Sequence, residues 1–83
     1  MDLLQQARAE IDAVDAEMAA LFERRMRAVA DVARYKAETG KPVFDAAREA
    51  AVLDKNAARI TDETLRPYYR AFLNDAMAVS RAY

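Results

Sequence analysis

Leu4, Ala7, Ile11, Val14, Met18, Leu21, Ala28 and Val32 recur at spacings of three and four residues, with polar side chains between them. That period places them on one face of an α-helix, about 100° of rotation per residue. The pattern runs unbroken to Thr39-Gly40-Lys41-Pro42, where Gly ends a helix and Pro forbids its continuation. A first helix is therefore predicted from about Leu3 to about Thr39. Pro42-Val43-Phe44 reads as a short extended connector, and Asp45 as the N-cap of a second helix with Glu49 in its early turns. That helix is predicted to run to about Ile60. Thr61 to Thr64 holds three candidate caps, and a third helix follows to the end, with Pro67 tolerated in its first turn. Leu65, Tyr69, Phe72, Ala76, Val79 and Tyr83 form its expected core row, with Ser80 beside it. The predicted fold class is all-α: three helices, one very long.

The length of the first helix predicts a partner. About 37 residues of helix span roughly 55 Å. A compact chain of this size has a radius of gyration near 12 Å, hence a diameter of about 30 Å. The apolar stripe continues along the whole helix, so its far half must be covered by something. A second copy is the economical cover, giving a symmetric homodimer with the first helix pairing across the axis, in which residues 1–83 form a single helical domain. The other solution, a helix broken midway into a monomeric bundle, has no Gly or Pro to mark the break.

Composition supports helices and narrows the chemistry. The 83 residues are 54% hydrophobic, with one Gly and two Pro. Thirteen basic and fourteen acidic residues leave a net charge of −1, which predicts no nucleic-acid footprint. Without Cys there is neither a disulfide framework nor thiol chemistry, and without His the commonest general base and transition-metal ligand is missing. No apolar run approaches the roughly 20 residues of a membrane span, and the N-terminus lacks a signal-peptide pattern. A soluble cytoplasmic protein is expected.

Four charges occupy positions where a core is predicted. Arg25 lies in line with Ala7, Val14 and Val32; Lys36 follows eleven residues later, about three turns on and only about 20° off in direction. Arg24 and Arg27 point away into solvent. On the second helix, Arg48 leads Val52 by four, and Glu49 leads Leu53. Arg8 is about 100° from the stripe centre and about 42 Å along the helix from Lys36, too far to share its site within one subunit. Antiparallel pairing would bring it to the partner's site. Each residue has an ordinary reading too: Lys and Arg snorkel to water, Arg48 and Glu49 make a helix-start pair, Asp45 is a plain cap, and Ser80 is back-bonded. Jointly, three inward cations against one carboxylate describe a pocket for a small anion, because a buried charge needs a partner. Arg forks bind carboxylates bidentately, so the site suits a dicarboxylate. Asp45 and Glu49 are not spaced as a metal loop, and no metal is expected. With no evident nucleophile or base, a reaction needing only positioning and charge stabilisation fits best.

Three stretches carry a family resemblance. They are Ile11-Asp12-x-x-Asp15 through Leu21-Phe22-x-x-Arg25-Met26 to Val32-x-x-Tyr35-Lys36; Pro42-Val43-Phe44-Asp45-x-x-Arg48-Glu49-x-x-Val52-Leu53; and Tyr68-Tyr69-x-x-Phe72-Leu73-x-x-x-Met77-x-x-Ser80-x-x-Tyr83. In this order and spacing they resemble the all-helical chorismate mutases over essentially the whole chain. The resemblance implies conversion of chorismate to prephenate by a [3,3] sigmatropic rearrangement in aromatic amino-acid biosynthesis. It implies no cofactor and an intertwined homodimer with sites built from both chains. By similarity, Arg25 and Arg48 hold substrate carboxylates, Arg8 is lent by the partner, and Lys36 bonds the ether oxygen. Glu49 and the Asp45 backbone meet the ring-hydroxyl region, Ser80 lies near a carboxylate, and Val32 and Met77 line the substrate. One departure stands out. The family usually carries a Gln or Glu four residues after the matching Ser, a place that here follows Tyr83. One donor to a developing oxyanion is worth about 10²–10³ in rate, so three readings stay open: the sequence stops just short of that residue, catalysis is weakened, or another group substitutes. An isochorismate-pyruvate lyase shares the fold and charge set, and a non-catalytic dimerisation, regulatory or engineered helical module shares the pattern without the chemistry.

Overall fold

A computed structural model of the chain describes residues 2–42 and 44–83. Three α-helices, α1 (Leu3–Thr39), α2 (Ala46–Ala57) and α3 (Arg66–Ala82), and a 3-10 turn at Glu63–Leu65 make up its regular structure, with no strand among the described residues. Contacts divide the chain into two units, residues 1–32 and 33–83, and α1 passes from one to the other.

Both ends of α1 are closed by local chemistry. At the N-terminus the Gln5 backbone N–H donates to Asp2 Oδ1 at 2.8 Å, and the Asp2 N–H donates to Gln5 Oε1 at 3.2 Å. This reciprocal pair satisfies two of the donors that a helix start leaves open. At the C-terminus Gly40 adopts φ 71°, a left-handed conformation that costs Gly nothing, and Lys41 N–H donates to Lys36 O at 3.0 Å. The helix ends where the Gly-Pro signal placed its stop.

Within residues 1–32 the single helix leaves its predicted stripe uncovered. Leu4, Ile11, Val14, Met18 and Leu21 are all exposed, and α1 has no buried residue. Only Arg25, Met26, Val29 and Ala30 are half-buried there.

Residues 33–83 hold the buried side chains, Ala57, Leu73 and Met77, all from α2 and α3. The expected core row of α3 is corrected by this packing. Leu65, Phe72, Val79 and Tyr83 are exposed, while Tyr69 and Ala76 are half-buried. Leu73 and Met77 lie one row over, and the rotation that sets them against α2 turns the predicted row outward. Arg70 pairs with Asp54 at 2.8 Å across the same two helices.

α2 stops three residues short of the expected Ile60. Asn56 Nδ2 donates to Val52 O at 2.9 Å, and the following amides tighten to i−3 partners: Arg59 to Asn56 O and Ile60 to Ala57 O. Arg66 Nε then caps Ile60 O at 2.8 Å. Asp62 starts the next turn by accepting from Thr64 N at 3.0 Å and Thr64 Oγ1 at 2.6 Å. Those two bonds, the hydroxyl first, hold the Asp62 carboxyl below its ordinary pKa. Pro67 falls in the first turn of α3, as expected.

Candidate active site

The start of α2 is built as a platform for charge. The Asp45 carboxylate accepts from the Arg48 backbone N–H at 3.0 Å, and the Asp45 carbonyl accepts from Glu49 N–H at 3.0 Å. One residue thus fixes the turn that carries both Arg48 and Glu49. The Arg48 side chain, expected to face inward, is instead exposed, because the start of α2 turns it away from the α2–α3 core; it makes no ion pair among the described residues, so its fork is available to an anion.

Glu49 is drawn inward, with its side chain 20% exposed, and its Oε1 accepts from Arg81 Nη1 on the last turn of α3. The Arg81 side chain is 34% exposed, and its guanidinium lies over the Phe44 ring, 5.0 Å from the centroid. The three residues tie the connector, α2 and the end of α3 to one cluster. An aromatic face and a carboxylate on the same guanidinium fix both its plane and its position.

The other expected site residues fall as follows. Lys36 is half-buried in the last turn of α1, where a cation complements the helix dipole. Ser80 is half-buried, and its Oγ donates to Ala76 O at 2.9 Å, the back-bonded arrangement. Met77 is 4% exposed and belongs to the core of α2 and α3, so in the single chain that core covers the face expected to line a substrate. Arg25, half-buried, and the exposed Arg8 and Val32 belong to residues 1–32. Arg25 and Lys36 are both engaged by neighbours within the chain. Among the described residues no cluster of His, Cys, Asp or Glu could hold a metal ion, and no helix is long and apolar enough to cross a membrane.

Sequence reasoning missed Arg81 and Phe44. Phe44 passed as connector, and a lone Arg near a helix end carries no periodic mark. The available signal was Glu49 itself, an inward carboxylate that required a cation. The partner it takes is Arg81, from a different helix.

The sequence matches the chorismate mutase type II family over residues 7–83. The chain belongs to this family. Chorismate mutases are isomerases of aromatic amino-acid biosynthesis, and the all-helical architecture fits them. The chain is similar to the T-protein of Haemophilus influenzae (strain ATCC 51907 / DSM 11121 / KW20 / Rd), with 30% identity over 94% of this chain. It spans 22% of that protein's length. No solved structure matches the chain at a significant level.

Proposed function

We propose that this chain is a chorismate mutase that converts chorismate to prephenate. The match over nearly the whole chain carries this reading, and the order and spacing of Arg25, Lys36, Arg48 and Glu49 resemble the family's. The reaction is intramolecular: the ether C–O bond breaks, a C–C bond forms, and no proton is gained or lost overall. That balance suits a site with neither His nor Cys.

Arg25 and Arg48 hold the two carboxylates and draw the enolpyruvyl arm over the ring, which removes the entropy cost of the cyclic transition state. Lys36 donates to the ether oxygen, where negative charge grows as the bond lengthens. Glu49 and the Asp45 backbone engage the ring hydroxyl, Ser80 turns its hydroxyl to a carboxylate, and Val32 and Met77 supply apolar walls. The working form is an intertwined homodimer in the cytoplasm in which residues 1–83 act as one domain and Arg8 of the partner subunit completes each site. The uncovered stripe of α1 supports the second copy: five large apolar residues in line form a face that water disfavours.

The test is prephenate formation by the purified chain, with chorismate and isochorismate supplied separately. Prephenate from chorismate is expected, without pyruvate release from isochorismate. Lys36→Ala is expected to lower kcat by about 10²–10³. Activity unchanged by both Lys36→Ala and Arg25→Ala would overturn the mechanism, and release of pyruvate would assign the chain to lyase chemistry.

A further inference from the structure

We propose that Arg81 is a positioning residue that holds Glu49 for the substrate ring and cancels its charge in a site meant for a dianion. The inference rests on the mutase reading above and extends it to a residue outside the family set. Three observations carry it. Arg81 Nη1 donates to Glu49 Oε1, joining the last turn of α3 to the first turns of α2. The Arg81 guanidinium carbon lies over the Phe44 ring, 5.0 Å from its centroid, and Phe44 immediately precedes Asp45, whose carboxylate sets the same turn of α2. The pair is more enclosed than a surface bridge, at 34% and 20% exposed, whereas Arg70–Asp54 and Arg27–Glu23 lie well out in solvent.

A carboxylate is an awkward group beside a ligand with two negative charges. Glu49 can accept a hydrogen bond from a ring hydroxyl through Oε2, but unpaired it would repel the substrate. Arg81 resolves the conflict by occupying Oε1 alone. It removes most of the repulsion and leaves the other oxygen to the ligand. Phe44 keeps the guanidinium from following the ligand carboxylates instead. Arg81 then acts on binding, because it reaches the ring hydroxyl only through Glu49 and takes no contact of its own with the breaking bond.

The experiment is a double-mutant cycle on the full chain, read by calorimetric prephenate binding and by steady-state kinetics. Arg81→Ala is expected to weaken prephenate binding and raise KM by about five- to tenfold, with kcat within about twofold. Arg81→Lys recovers most of that loss. In the Glu49→Gln background, where no charge remains to cancel, Arg81→Ala costs less than about twofold. Phe44→Leu, which keeps the apolar contact and removes the aromatic face, costs about two- to fivefold. Circular dichroism of each variant confirms the helical fold. An equal loss from Arg81→Ala in both backgrounds, or a loss confined to kcat, overturns the proposal by showing that Arg81 acts independently of Glu49. If the unmodified chain binds no prephenate and forms none, the mutase reading fails and this inference falls with it. Binding with an additive cycle removes the inference alone.

Discussion

Deleting the Asp45 carboxylate probes the one side chain that fixes both the stability of α2 and the placement of Arg48 and Glu49. Its Oδ1 takes the Arg48 amide at 3.0 Å, and no other side chain among the described residues caps that turn. Losing an N-cap acceptor of this type costs typically about 1 kcal/mol. Unfolding entropy of roughly 2.1 cal/mol/K per residue, over 83 residues, is about 0.17 kcal/mol/K, so Asp45→Ala lowers Tm by about 6 °C. Asp45→Asn keeps the acceptor and gives up only the attraction between carboxylate and helix dipole, so its drop is about half as large or less. Thermal melts at one fixed protomer concentration measure both, since a dimer's Tm depends on concentration. Hydrogen exchange adds a local readout: the amides of Arg48 and Glu49 lose protection in the Ala variant and keep it in the Asn variant. An Ala variant that melts with the unmodified chain and retains those protected amides would refute the capping account.

Three further outcomes are expected. Gly40→Ala lowers Tm by several degrees through left-handed strain alone, about 1 kcal/mol, because a Cβ there meets nothing within 4 Å; a melt matching the parent would contradict the positive φ. Thr64→Val removes the donor that most lowers the Asp62 pKa. A depressed carboxyl stabilises the fold above its unfolded value of 3.8 and loses that contribution as pH falls through the folded value. The Tm gap between the variant and its parent is therefore full near neutral pH and narrows below 3.8, and a gap independent of pH in acid melts would count against it. Met18→Asp places a charge in the exposed stripe of α1. With each Met worth about 1.5 kcal/mol or more and counted twice across a two-fold axis, dimer affinity drops at least about 10²-fold in sedimentation, and an unchanged dimer would exclude this face as the interface.

Much of the fold was legible because its signals are local. The span of α1 followed from a single apolar period closed by Gly40, and the N-cap at Asp45 from a carboxylate three residues before the amide it binds. The end of α2 was harder to place. Asn56 turning its side chain back on Val52, and Arg66 reaching Ile60 O, depend on geometry that forms only once the chain has turned. The core of α3 was misplaced by one row for a related reason. Both rows are apolar at helical spacing, and only packing against α2 selects Leu73 and Met77 over Phe72 and Val79.

The sequence alone determined the elements and the chemical repertoire: three helices, one too long for a compact single chain, and a set of Arg, Lys and Glu without His or Cys. These follow from periodicity, breakers and composition, all of which act over one or two turns. Tertiary structure decided which charge answers which. Glu49 and Arg81 are 32 residues apart, with Phe44 on the far side of Glu49 in the chain. Their meeting depends on how α3 is turned against α2, and that rotation is set by the burial of Ala57, Leu73 and Met77, not by any feature of the three residues themselves.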